Sequence, residues 1–135
     1  MDRITQAQRS ANMSKIRSKD TKPEMLVRKL TYSMGFRYLL HPQGIPGKPD
    51  LVFKKIKKVI FVNGCFWHQH TGCNFAVMPK TNKDYWEKKL LGNVERDLKT
   101  IQMLEDQGWK VLVLWECQLN NIVTLSQQIK SFLIF

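Results

Sequence analysis

The stretch GKPDLVFKKIKKVIFVNGCFWHQHTGC (47–73) decides the architecture. It carries two short apolar runs, residues 50–53 and 58–62, joined by the basic KKIK turn. Short runs rich in Val, Ile and Phe, bounded by turn residues, are the signature of strands. Pro49 holds the chain extended where the first strand opens. Regularity stops after the second strand, and residues 63–81 are expected to be irregular.

Toward the amino terminus, Asp20-Thr21-Lys22-Pro23-Glu24 reads as a helix start. Thr21 is placed to cap, with Glu24 three residues on as in a capping box. The helix then runs through Met25, Leu26, Leu30 and Met34 to a stop at Gly35. A strand, FRYLLH (36–41), is expected next, followed by the Pro- and Gly-rich turn PQGIPGKP (42–49). Residues 5–18, TQAQRSANMSKIRS, read as a polar, basic helix. Its one apolar pair, Met13 and Ile16, shares a face but is too small for a core stripe. The segment either docks on the domain or forms an arm that lies on DNA.

Toward the carboxyl terminus, residues 82–106 read as a long helix with Val94, Leu98, Ile101 and Leu104 as its apolar stripe. Gly92 interrupts that helix and Gly108 ends it. WKVLVLW (109–115) is a buried strand, and an amphipathic helix over 121–133 closes the chain. Helix, three strands, long helix, strand and helix predict an α/β (α+β) fold, with helices flanking a mixed central sheet in two or three layers. No repeat or linker divides the sequence, so 1–135 is expected to be one domain, with 1–19 as the arm.

The 135 residues carry 22 Lys and Arg against 11 Asp and Glu, a net charge of +11. A soluble chain of this size and charge points to a polyanionic partner. The basic residues are spread out, which argues against a membrane-surface cluster. No apolar run approaches the roughly 20 residues that span a bilayer. The start, MDRITQAQRS, has no apolar signal-peptide centre, so a cytoplasmic protein is expected. Cys65, Cys73 and Cys117 are an odd set for a disulfide framework, which turns attention to metal ligation.

Residues 65–73 put two thiols and two imidazoles close together, and Cys117 follows a core strand that would fix it in space. Zinc takes four S/N ligands in a closed tetrahedron. Three cysteines and one of His68 and His70 complete that set. Spacing does not choose between the two histidines; the one left over is free for chemistry. Phe66 and Trp67 are adjacent and so point in different directions, which leaves at least one displayed. An aromatic pair braced by a metal in a basic protein suits stacking on bases or wedging between them.

Two acids stand out beside this cluster. Asp97 lies on the stripe of the long helix, where a carboxylate is disfavoured unless it has a partner. It is either a satisfied structural acid or the orienting partner of a histidine. Asp50 opens a core strand, and with Glu24 it offers two carboxylates for magnesium.

Five stretches together resemble the very-short-patch repair (Vsr) mismatch endonucleases, a branch of the restriction-endonuclease-like fold. They are RSANMSKIRSKDTKPE (9–24), GKPDLVF (47–53), VIFVNGCFWHQHTGC (59–73), NVERD (93–97) and GWKVLVLWEC (108–117). The resemblance implies a restriction-endonuclease-like core with a structural zinc. It also implies a magnesium-dependent hydrolase that nicks one DNA strand 5′ of the thymine in T:G mismatches left by deamination of 5-methylcytosine. By position, Asp50 resembles the direct magnesium ligand, Val62 a ligand through its carbonyl, and Glu24 a ligand through water. His68 resembles the general base oriented by Asp97. Cys65, His70, Cys73 and Cys117 resemble the zinc ligands. Phe66 and Trp67 resemble a wedge entering from the major groove. Met13 and Ile16, with the neighbouring Arg9 and Lys15, match an arm on the minor groove.

Asn63 departs from the family's frequent histidine or aspartate. Asparagine can hold a water or donate to a phosphate, but it cannot act as a base. The implied partners are duplex DNA carrying the mismatch, a cytosine-5 methyltransferase and mismatch-repair proteins, with the chain a monomer acting at the nucleoid. The alternatives are a mismatch-binding module weakened at Asn63, or a related nuclease of different specificity.

Overall fold

The computed structural model describes residues 21–65, 68–70 and 80–135. Helix α1 spans Lys22–Ser33, with the Thr21 hydroxyl accepting from the Glu24 amide at 3.3 Å and Pro23 in the first turn. Proline is tolerated there because the first-turn N–H groups have no partner within the helix. The helix closes as expected at Gly35, whose left-handed backbone (φ 94°) lets the Phe36 amide donate back to the Thr31 carbonyl at 3.3 Å.

Strand β1, Leu51–Phe53, pairs antiparallel with β2, Lys58–Asn63, and the 3-10 turn Lys54–Ile56 joins them. Helix α2, Lys83–Asp106, carries the chain to β3, Lys110–Trp115, which lies parallel to β2. Helix α3, Ile122–Ile134, follows, capped by the Asn121 side chain. The result is a mixed α+β fold on a three-stranded sheet of order β1-β2-β3.

The pleat sends alternate residues to opposite faces. Leu51, Phe53, Ile60 and Leu114 pack with Val27 of α1 and with Leu125, Ile129 and Leu133 of α3. Val52 and Val59 face the other way, onto Leu104 of α2, with Phe61, Trp109 and Val111 around them. The sheet is therefore the middle of three layers.

Three expectations need correction. Residues 36–41 do not form a strand. Only Leu39 bridges the sheet, exchanging 2.9 Å bonds with Val52, and the chain then turns away at His41, whose backbone is left-handed (φ 45°). β1 is three residues long, so a longer ladder has no partner to extend along. The stripe of α2 also differs. Leu98 is 66% exposed, whereas Leu90 and Leu104 are buried and Val94, Asp97 and Ile101 are partly buried. Neighbouring residues on a helix are about 100° apart, so at the margin of the buried stripe one of Asp97 and Leu98 turns inward and the other outward. The inward place belongs to the acid. Gly92 does not break α2.

Two lysines around the β1–β2 turn have structural work. Lys57 Nζ donates to the Gln107 carbonyl at 2.6 Å, beyond the end of α2, and buried Lys58 Nζ donates to the Phe132 carbonyl at 2.5 Å in the last turn of α3. Cations there satisfy carbonyls that a helix end leaves open.

Gly47 fixes the approach of the 42–49 turn to α2. Its backbone is left-handed (φ 75°), and a Cβ there would lie 2.1 Å from Thr100 Cγ2. Gly47→Ala should therefore lower stability by roughly 2–4 kcal/mol, combining overpacking with a disfavoured backbone. Adding Thr100→Ala should recover part of the loss in urea unfolding. A Gly47→Ala chain as stable as the parent would refute this close approach.

Candidate active site

The parallel register sets the site. Asn63 of β2 pairs with Trp115 of β3, so the two strands end side by side. Cys65 and Cys117 each lie two residues beyond that last pair, Cys117 in the 3-10 turn Glu116–Gln118. The two thiols are thus delivered to one place from positions far apart in sequence. His70 joins them: its Nδ1 is 3.3 Å from Cys117 Sγ and 3.7 Å from Cys65 Sγ. The three donor atoms lie within 4.8 Å of one another, as a shared metal ion requires. The His70 ring also stacks on Trp115, with centroids 4.2 Å apart and planes 7° from parallel.

His68 goes the other way. Its Nδ1 is 2.5 Å from Asp97 Oδ2, and both side chains are about one-third exposed. Between the two histidines, Gln69 adopts a left-handed backbone (φ 48°), and the amides of His68 and His70 donate to the carbonyls of Gly64 and Cys65. This tight turn parts the imidazoles, one toward the thiols and one toward the acid. A carboxylate only accepts hydrogen bonds, so His68 donates from Nδ1, and in the neutral ring the lone pair lies on Nε2. His68 and Asp97 line a cavity of about 120 Å³ together with Asn63, Arg96, Gly47 and Thr100.

Asp50 and Glu24 form a second cluster. The Val62 amide donates to Asp50 Oδ2 at 2.6 Å, which ties the acid to the end of β2. Glu24 is 1% exposed, is ion-paired with Arg28 one turn on, and has Oε2 3.2 Å from His41 Nε2. Ligand atoms of Glu24, His41 and Asp50 lie within 4.8 Å of one another. Burial pushes the Asp50 carboxyl up to about 8, and the neighbouring Glu24 adds to this, against the Val62 amide and Arg28.

Of the residues singled out in the sequence, the fold brings together Asp97 with His68, Asp50 with Glu24 and Val62, and Cys65 with His70 and Cys117. Asn63 is buried beside the first group. Arg9, Met13, Lys15, Ile16, Phe66, Trp67 and Cys73 lie outside the described residues. Sequence reasoning missed Arg28, His41 and Trp115. The Glu24–Arg28 spacing of four residues was a readable signal for the first. His41 sits in what reads as a strand, and nothing local indicates that it turns back on Glu24.

The sequence profile described as "DNA mismatch endonuclease Vsr" matches residues 1–74. The chain belongs to the Vsr family. It is 49% identical over 120 residues to the "Type II nicking enzyme V.NmeAIP" of Neisseria meningitidis, covering 89% of this chain and 85% of that protein. It is 41% identical over 132 residues to V.XorIIP, a protein of the same description from Xanthomonas oryzae pv. oryzae, covering 98% and 96%. The "DNA mismatch endonuclease Vsr" of Escherichia coli is 38% identical over 122 residues, covering 90% and 78%. Among solved structures, the catalytic domain of the homing endonuclease I-Bth0305I matches with a TM-score of 0.60 at 24% identity, over 85% of this chain and 96% of that one. That likeness shows a shared fold. As a Vsr family member, the chain is a DNA endonuclease.

The electrostatics of Asp50 yield a stability prediction. The folded carboxyl titrates above its ordinary value of 3.8, so the folded state holds a proton that the unfolded chain releases. The penalty for ionising it is absent below 3.8, grows through the window up to about 8 and is complete above it. Without added divalent metal at neutral pH, Asp50→Asn should raise Tm by about 3 °C or more, since roughly 1 kcal/mol is worth that much in a chain of this size. The gain should vanish near pH 4. An unchanged or lower Tm at neutral pH would contradict the buried, repelled carboxylate.

Proposed function

We propose that this Vsr family member nicks one strand of duplex DNA 5′ of the thymine in T:G mismatches, by magnesium-dependent hydrolysis on a restriction-endonuclease-like core. The observation that carries this reading is the His68–Asp97 pair at the end of β2, beside the strand end that holds Asp50. Names of the relatives, nicking enzymes and a mismatch endonuclease, support it.

His68 Nε2 takes the proton from the attacking water, and Asp97 holds the ring in the tautomer that makes Nε2 basic. Asn63, which cannot take a proton, positions the water or a phosphate oxygen in the shared cavity. Asp50, the Val62 carbonyl and Glu24 through water offer hard oxygens of the kind magnesium prefers, and the donor set fits that ion. Held by these residues, magnesium would polarise the phosphate and stabilise charge on the leaving oxygen. Arg28 offsets part of the negative charge that Glu24 and Asp50 bring.

Cys65, His70 and Cys117 supply three donors that suit a structural zinc, and Cys73 would be the fourth. Zinc there would tie the loop after β2 to the end of β3 and brace Phe66 and Trp67 as the wedge. Met13 and Ile16, with Arg9 and Lys15, hold the minor groove from the arm at 1–19. The net charge of +11 supplies a salt-sensitive share of the affinity. The chain acts as a monomer in the cytoplasm, at the nucleoid. A cytosine-5 methyltransferase creates the lesion's precursor, and mismatch-repair proteins are its further partners.

The test is cleavage of a T:G duplex with magnesium, scored by strand and position. A single nick 5′ of the thymine is expected, and none on the fully paired duplex. His68→Ala should cut the rate by roughly 100-fold or more, while zinc content and mismatch binding stay near those of the parent. Loss of zinc in that variant would mean the two histidines have exchanged roles. Trp67→Ala should weaken binding to the mismatch more than to paired DNA, and equal losses would count against the wedge. Tight mismatch binding without any nick would mark a binding module, with Asn63 as the residue to revert.

A further inference from the structure

We propose that His41 is a further protein ligand of the cation site at Asp50 and Glu24, making it a mixed nitrogen and oxygen site that binds manganese more tightly than magnesium. The proposal rests on the reading of Asp50 and Glu24 as cation ligands, and refines it by placing Glu24 in direct contact with the ion.

The placement of the imidazole carries it. His41 Nε2 lies 3.2 Å from Glu24 Oε2, and ligating atoms of His41, Glu24 and Asp50 all fall within 4.8 Å of one another. Around an octahedral ion with ligands at about 2.1 Å, adjacent donors are roughly 3 Å apart and opposite ones roughly 4.2 Å. The observed cluster has that scale. The same Nε2 also faces a donor, Arg28, at 3.5 Å. One nitrogen thus meets a group that only accepts and a group that only donates, so neither tautomer satisfies both. A cation at the centre removes the conflict: it takes the Nε2 lone pair, and Arg28 keeps its ion pair with Glu24. The His41 side chain is 16% exposed, so its orientation is set by the protein and not by solvent.

The chemistry of the set predicts its preference. Magnesium favours all-oxygen surroundings and keeps several waters. An imidazole shifts affinity toward later divalent ions, with manganese tolerant of both donor types. Manganese also avoids confusion with the thiolate-rich group of Cys65 and Cys117, which suits softer ions.

The experiment is a titration of the zinc-loaded full chain with Mn2+, followed by pulsed EPR on protein carrying 15N-labelled histidine. The bound Mn2+ should show coupling to a directly coordinated 15N. His41→Gln keeps a group able to hydrogen-bond Glu24 but removes the imidazole. It should abolish that coupling and weaken Mn2+ binding by about tenfold or more, with a smaller change for magnesium. Coupling unchanged in His41→Gln, or no coordinated nitrogen in the parent, overturns the role of His41. Asp50→Asn separates the two layers of inference. Loss of Mn2+ binding there, with His41→Gln unaltered, leaves the carboxylate site standing and removes only His41. Mn2+ binding unaffected by Asp50→Asn would refute the carboxylate site itself.

Discussion

Parallel pairing of β2 with β3 is the constraint on which the rest depends. Its register places Asn63 opposite Trp115, and from that one pair the positions of Cys65, Cys117 and the His70 stack follow. The register is enforced by the core. Ile60 and Leu114 face α1 and α3, while Val59 and Val111 face α2. A slip of one residue would turn each set to the wrong layer. Burial of these side chains, each worth roughly 1.5–3 kcal/mol, therefore also locates the polar groups at the strand ends. In parallel sheets, ligands gather beyond the carboxyl ends of the strands, and both clusters of this chain meet the sheet at that end of β2.

The two acid settings differ in how they manage charge. Asp97 stays partly in water and spends its negative charge on His68. Asp50 is buried beside Glu24, the Val62 amide and Arg28 only partly offset this, and its carboxyl rises to about 8. Such a carboxyl is unfavourable for the chain alone and favourable for a cation, since a bound ion reverses the local preference for the protonated form. The pattern is that of a fold that accepts local instability where it needs chemistry.

The net charge is likewise not one thing. Lys57 and Lys58 close helix ends inside the structure, and Arg28 is buried against Glu24. Exposed basic residues of α2, such as Arg96 beside the cavity and Lys99, contribute to the field that DNA meets. A count of +11 thus overstates the surface available to phosphates.

Much of this was legible in the sequence. Apolar alternation with Gly and Pro punctuation located three strands and three helices to within about two residues, because those signals are local. GCFWHQHTGC, NVERD and WEC marked the candidate site residues, because such side chains are costly to bury without partners. By themselves they placed no contact. Which histidine faces the thiols was decided by the turn at Gln69 and the aromatic floor of Trp115. The inward face of α2 was decided by packing, which took Asp97 and left Leu98 in water. His41 joined Glu24 only because residues 36–41 bridge the sheet at a single pair and then turn back. Local propensity and residue chemistry belong to the sequence. Long-range pairing, set by register and by the competition of side chains for one core, belongs to the tertiary structure.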